Sequence, residues 1–280
     1  MNNIIQLSTK DMNTIKLFTI LRIVLVPVIL MLIPLFVSAQ EYKLVWSDEF
    51  TDGMSKDWSY DIGGSGWGNN ELQYYTNSNT SVSDGILKIT VKKENRGTNK
   101  YTSSRIKTKG AKAWKYGRIE ARIKLAKVQG NFPAFWMLGA SFNGSNWPYC
   151  GEIDIMEQIN KDDILHANVH YDDNGHRSNN KSINCKVSEF HVYAIDWDEN
   201  SIRFLLDGDE YHKVNIANGI DGTDEYHKEH FILLNYAMGG DWPGFVVDES
   251  ALPASMEVDY VRVYQKDQST GSSNERKKKE

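Results

Sequence analysis

The sequence predicts an all-β protein, an antiparallel sandwich or jelly roll built as one domain. Three observations lead there. Segments rich in β-branched and aromatic residues recur along the chain, several with apolar and polar residues in alternation. Short turn sequences separate them, among them SDG at 83–85, DENS at 198–201, LDGDE at 206–210 and DGTD at 221–224. No apolar repeat of helical period is sustained for as many as about three turns.

The N-terminus has a different character. Lys10, Lys16 and Arg22 precede an apolar run from Ile23 to Val37, and Ser38-Ala39-Gln40 follows. A positive region, an apolar region and a small-residue exit make a secretory signal peptide, so residues 1–39 are expected to be removed near Ala39. The run is short for a membrane span, and Pro27 and Pro34 interrupt it. The expected location is therefore secreted or periplasmic, with no stable membrane association after cleavage. Met12 is an equally available start. Losing three basic residues and one acidic one takes the net charge from −5 to −7. No basic stripe exists outside the last few residues, which excludes nucleic acid as a partner. Export permits a disulfide between Cys150 and Cys185, but two cysteines do not make a disulfide framework, and their pairing stays open.

Ten strands are expected in order: 44–50, 86–93, 117–126, 132–139, 152–159, 165–172, 190–198, 201–208, 230–240 and 256–265. In IRFLLDGDEYHKV, Asp207-Gly208 reads as the turn of a hairpin. Segments 140–146 and 172–185 read as loops that shape a binding surface. No repeat or linker divides the chain between 40 and 265, and the Ser/Gly-rich, then charged, stretch 266–280 reads as a disordered tail.

One strand is anomalous. GEIDIMEQIN, residues 151–160, crowds Glu152, Asp154 and Glu157 among Ile153, Ile155 and Met156. Carboxylates are depleted in strands, and placing them side by side costs electrostatic energy. Residues two apart share a face, so Glu152 and Asp154 point together while Glu157 points away. A β-bulge near Ile155-Met156 would return Glu157 to the first face. Three uses are open for such a cluster: a carboxylate pair that cleaves a glycosidic bond, a calcium site, or an acidic edge strand. The first uses the crowding, because neighbouring negative charge keeps one carboxyl protonated near neutral pH. The second lacks the glycine turn of a calcium loop, and the third sits badly with so continuous an apolar run.

The surroundings favour the first use. The chain has eight Trp and fourteen Tyr. Sugars stack their C–H faces on aromatic rings and bond through hydroxyls to polar tips. Trp136 and Trp147 precede the cluster, Trp67 lies in the glycine-rich GGSGWGNNELQYY at 63–75, and His170 lies on the next strand. Trp46 and Trp197 sit inside strand patterns and are better read as core.

These residues also carry a resemblance. LVWSDEF, GGSGWGNNELQYYT, YTSSRIKTKG, YGRIEARIKL, FPAFWML, WPYCGEIDIME, VHY, HVYAIDW, MGGDWPG and VDYVRVYQ, in this order from Tyr42 to Gln265, resemble glycoside hydrolase family 16, and within it the laminarinases. The resemblance implies a β-jelly roll with a concave substrate cleft, and a catalytic domain over 40–265. It implies an endo-acting, retaining enzyme on β-1,3-glucan, with Glu152 as nucleophile, Glu157 as acid/base and Asp154 tuning the nucleophile. Met156 would mark the bulged branch of the family. Arg105 and Asn69 match motifs at the sugar subsites, as do Trp136, Trp147 and His170 near the cleaved bond. No cofactor is expected for the chemistry. A structural calcium is implied, held by Asp259 with backbone carbonyls near Glu49 and Gly85. A monomer is expected. The rival substrates are mixed-linkage β-glucan and marine galactans, and the rival class is a non-catalytic glucan-binding protein, which would lack the three carboxylates present here.

Overall fold

The computed structural model describes residues 42–267. The expected signal peptide at 1–39 and the tail beyond Asp267 lie outside the described residues. In chain order the strands are β1 (Tyr42–Asp48), β2 (Ser59–Asp61), β3 (Gln73–Tyr75), β4 (Thr80–Ser83), β5 (Ile86–Arg96), β6 (Asn99–Ser103), β7 (Arg105–Lys107), β8 (Gly117–Leu125), β9 (Asn131–Gly139), β10 (Glu152–Glu157), β11 (Ile164–Asp172), β12 (His176–Asn184), β13 (His191–Trp197), β14 (Ser201–Leu206), β15 (Asp209–Asn215), β16 (His230–Met238) and β17 (Ala254–Lys266). They form two sheets. One has ten strands, in the order β15-β14-β13-β8-β17-β5-β6-β3, with β1 also on β17 and β4 on β5. The other has seven, in the order β12-β11-β10-β9-β16-β7-β2. Pairing is antiparallel except between β3 and β6.

Each of the ten expected strands is present. Their alternation explains the sandwich. Ile119, Ile123, Tyr193, Ile195, Phe204, Val258, Val261 and Val263 of the larger sheet pack in one buried cluster with Phe135, Met137, Ile153, Leu165, Val169, Ile232 and Leu234 of the smaller. Each such aliphatic or aromatic side chain, fully withdrawn from water, contributes about 1.5–3 kcal/mol. Trp197 is buried in this core, and Trp46 meets Trp58 edge-on and Trp114 at a tilt, so both belong to packing as expected.

The hairpin at Asp207-Gly208 also forms. Leu206 faces Asp209, and the two turn residues have φ of 53° and 94°. Positive φ at both central positions is the geometry that Asp-Gly favours in a two-residue hairpin.

The structure corrects one segment. Much of 172–185, expected as a loop, is the edge strand β12, paired with β11 along its whole length. Its sequence, HRSNNKSIN, gives no apolar alternation because nearly every residue is exposed. Main-chain pairing with β11 holds most of it, with side-chain contacts from His176 to His170, from Ser182 to His166 and from Ile183 to the core. Its charged and amide side chains suit an edge. The short strands β2, β3, β4, β6 and β7 were equally silent in the sequence. Cys150 and Cys185 are buried free thiols.

Candidate active site

The outer face of the seven-stranded sheet is the floor of a cleft of about 820 Å³. The period of two sorts each strand cleanly. On β9, Phe132, Ala134, Trp136 and Leu138 line the cleft while Phe135 and Met137 enter the core. On β16, Phe231, Leu233 and Asn235 face the cleft, and Ile232, Leu234 and Tyr236 the core. Arg105 and Lys107 flank the buried Ile106, and Asn168 and His170 flank the buried Val169.

On β10 the period is interrupted once. Asp154 pairs with Trp136 of β9, but Met156 pairs with Phe135, so Ile155 is an extra residue. On the other side Asp154 faces Asn168, and Glu157 faces His166. This is the expected bulge. Ile153, Ile155 and Met156 all enter the core, and Glu152, Asp154 and Glu157 all line the cleft. Local sequence holds both ends of the strand. Gly151 has φ of 74°, and a Cβ there would meet Glu225 Cβ at 2.9 Å, so only glycine leads into Glu152 without strain. After the bulge, the buried Gln158 donates its amide to the carbonyls of Ile159, Asn160 and Asp162, which fixes the turn. The hydroxyl of Tyr226 lies 3.2 Å from the carbonyl of Glu152 and 2.9 Å from that of His170, tying the two strands together.

Electrostatics separate the carboxyls. Burial is the largest cause for all three, because it disfavours the charged form. It pushes Glu157 up to about 8, with the charge of Glu152 adding to the effect. Glu152 is pushed up to about 7, and a hydrogen bond from Trp147 and the charge of Arg105 restrain the rise. Asp154, 3% exposed, is raised well above the carboxylate range by burial and by both glutamates. Asp154 therefore holds its proton, and the Trp147 hydrogen bond and the charge of Arg105, which act on Glu152, favour the charge there over Glu157, the division that a nucleophile beside a proton donor requires.

The other expected residues take distinct places. Trp147 lies on the loop before β10, 41% exposed, and its Nε1 donates to Glu152 Oε2 at 3.2 Å. Its ring packs against His170 and His176 at centroid distances of 5.7 and 4.7 Å. Trp136 donates Nε1 to Asn235 Oδ1 at 2.7 Å, which fixes its ring in the cleft. His170 Nε2 lies 3.5 Å from Asp154 Oδ2 and 3.9 Å from Glu152 Oε1. Burial and the neighbouring His176 push His170 down to about 4, so it is neutral. Arg105 bonds to Asp61 at 2.7 Å, and its guanidinium lies 4.3 Å from the ring of Trp67. Asn69 lines the cleft beside Trp67, and its carbonyl accepts from the Asp241 amide.

The implied calcium ligands lie elsewhere. Asp259, on β17 of the larger sheet, is paired with Arg122 at 2.6 Å. The Glu49 carboxylate is held by Arg262 at 2.8 and 2.9 Å, and Gly85 occupies the turn between β4 and β5. One oxygen of the Asp259 carboxylate, Oδ2, accepts from Arg122, so a cation there would compete with the guanidinium for that oxygen.

Sequence reasoning missed Trp242, Asp61 and His176. Trp242 is 42% exposed, lines the cleft and meets Phe132 and His166 edge-on. Its setting in GGDWPG, an aromatic between glycines, is the same signal that singled out Trp67. Asp61 neutralises both Arg105 and Lys107, and no local pattern announces it.

A bulged strand carrying an acid and a nucleophile across an aromatic-lined cleft defines a class, the glycoside hydrolases that act through a carboxylate pair. The chain belongs to glycosyl hydrolases family 16, whose family model matches residues 68–262. It is 42% identical over 237 residues to the clotting factor G alpha subunit of Tachypleus tridentatus, covering 83% of this chain but only 35% of that protein. It is 38% identical over 247 residues to a beta-glucanase of Rhodothermus marinus, covering 81% of this chain and 86% of the relative. The structure of the laminarinase from Rhodothermus marinus matches with a TM-score of 0.74 at 37% identity, covering 81% of this chain and 99% of the other.

Proposed function

We propose that this protein is an endo-acting, retaining hydrolase of β-1,3-glucan. The observation that carries the reading is the alignment of Glu152, Asp154 and Glu157 on the cleft face of β10, with the proton favoured on Glu157. Relatives named beta-glucanase and laminarinase supply the substrate class. The cleft runs across the strands, from Asp61 and Arg105 to Asn168 and His170. An open trench of that kind admits the interior of a polymer rather than only its end.

In this mechanism Glu157 protonates the glycosidic oxygen while Glu152 attacks the anomeric carbon and forms a covalent glycosyl-enzyme. Glu157, now ionised, takes a proton from water, which displaces Glu152 with overall retention. Asp154, on the cleft face between the two, is itself raised by burial and by both glutamates, so it holds its proton and adds no third charge to the face. Trp147 and Arg105 favour the ionised nucleophile. Trp136, Trp147, Trp67 and Trp242 offer stacking faces, with Asn69 and His170 as polar contacts.

Export is part of the proposal, on the pattern of residues 1–39, with action as a monomer in the medium or periplasm. A structural calcium at Asp259 also belongs to it, and requires Arg122 to give way.

The test is product analysis on laminarin, curdlan, barley β-glucan, agarose and κ-carrageenan, with the anomer formed first read by NMR. Short β-configured laminarin oligosaccharides are expected. Glu152→Ser and Glu157→Ala should abolish release while glucan binding persists. Cleavage of a galactan alone would overturn the substrate, and full activity in either variant would overturn the catalytic assignment.

A further inference from the structure

We propose that Glu152, Asp154 and His170 also form a binding site for a divalent transition-metal ion of the zinc class, and that the bound ion shuts the catalytic site. The starting observation is an orphan. Asp154 Oδ2 is buried and has no hydrogen-bond partner, on a side chain that is almost wholly inaccessible. A buried carboxylate oxygen without a partner is costly, and it calls for a proton or a cation. That same atom faces His170 Nε2 at 3.5 Å, and Glu152 Oε1 lies 3.9 Å from the same nitrogen. One ligand atom from each of the three residues falls within 4.8 Å of the others.

Those spacings suit a small ion. Zinc bonds at about 2.0–2.2 Å to nitrogen and carboxylate oxygen in tetrahedral geometry, which sets neighbouring ligand atoms about 3.4 Å apart. Both contacts of His170 are near that value, and the carboxylates need only draw together.

His170 is also held as a metal ligand is held. Its Nδ1 bonds to His176 Nε2 at 2.7 Å and its ring stacks on that of His176. A partner on the far ring nitrogen fixes the orientation of the ligating one. The lone pair of Nε2 currently accepts from Asn168 Nδ2 at 2.8 Å, an amide that an ion would displace. Asn168 Oδ1 has no partner, so turning the amide presents an oxygen as a fourth ligand. One imidazole with two carboxylates selects zinc, cobalt, nickel or copper over calcium and magnesium, which prefer oxygen alone.

An ion here holds Glu152 and occupies the floor on which sugar must sit, so it competes with glucan. This inhibitory half rests on Glu152 being the nucleophile, whereas the binding half does not. The full chain, freed of metal by dialysis, is titrated with cobalt(II) by visible absorption and with zinc by calorimetry. One equivalent of tetrahedral cobalt is expected, displaced by zinc and unaffected by excess calcium. His170→Gln should abolish the signal, and His176→Ala should weaken affinity about 10–100-fold, with both variants checked for folding by circular dichroism. Zinc should raise KM for laminarin reversibly and leave kcat unchanged. Absence of stoichiometric binding, or binding that survives His170→Gln, overturns the site. Binding without competition against laminarin overturns the shut-off. A chain inactive on laminarin but still binding cobalt would sink the hydrolase reading and leave the metal site standing.

Discussion

Replacing Trp147 by Phe isolates one hydrogen bond in the catalytic machinery. The benzyl ring retains a face against His170 and His176, while the Nε1 donor to Glu152 is lost. A hydrogen bond to a charged group is worth about 1.5–3 kcal/mol. This one spans 3.2 Å, the long end of the range, and Trp147 is 41% exposed, so water replaces part of what is lost. Discounting by half leaves about 0.75–1.5 kcal/mol, or about 0.5–1 pH unit. The sign follows from the donor, which stabilises the ionised carboxylate, so its loss raises the pKa of Glu152. Glu152 must be ionised to attack and Glu157 protonated to donate, so kcat/KM is bell-shaped, with both limbs raised above the ordinary carboxylate range by burial. In Trp147→Phe the acid limb should move up by about 0.5–1 unit, with kcat/KM about 3–10-fold lower well below it. The basic limb should stay. The assay is reducing-sugar release from laminarin under kcat/KM conditions from pH 4 to pH 10. An acid limb that stays in place, or moves down, would refute the claim that this donor sustains the charge on Glu152.

Asp154→Asn should make the protein more stable at high pH. Its folded pKa is raised, so the folded state holds a proton that the unfolded state releases, and stability falls as pH rises above the unfolded value of 3.8. Urea midpoints of variant and wild type should diverge at pH 8 and converge toward pH 4. Trp197→Ala should cost about 3–5 kcal/mol in urea unfolding, because it empties a fully buried site and orphans the Tyr226 carbonyl that accepts from Nε1 at 3.0 Å. A loss under about 1 kcal/mol would show that the core collapses around the gap. On the proposal of a calcium at Asp259, added calcium should raise Tm, and Arg122→Ala should enlarge that rise by freeing the carboxylate. A Tm indifferent to calcium in both proteins would remove Asp259 as a ligand.

Legibility followed burial. Strands that bury one face, such as β17 and part of β8, write a period of two into the sequence, while β9 and β16, buried on both faces, read as nearly continuous apolar runs, and all four were expected there. β12 buries almost nothing, so selection on its side chains leaves no alternation, and its existence depends on the hydrogen bonds of β11. β2 and β7 are three residues each, below the length at which a period can be read. The same reasoning sorts the site. The carboxylates stand out because acids in an apolar strand break a local rule. Asp61 is an ordinary aspartate until folding sets it against Arg105, across 44 residues of chain, and only then does its role exist.

The bulge shows why the acidic motif has its length. With no extra residue, the position after Asp154 and Ile155 would face the cleft again, and a glutamate there would repeat the spacing of Glu152 and Asp154. Inserting one residue keeps Glu157 on the cleft face but moves it farther along the floor, and turns two successive side chains, Ile155 and Met156, into the core. Those two anchors bury the strand beneath the carboxylates at the point where their mutual repulsion would push it outward. The same burial raises the pKa of each carboxyl, and so keeps fewer than three charges on the face at neutral pH. Packing and proton affinity are therefore one design: loosening the strand by truncating Ile155 or Met156 would let in water, lower the pKa of Glu157 and pull the basic limb of the rate profile downward.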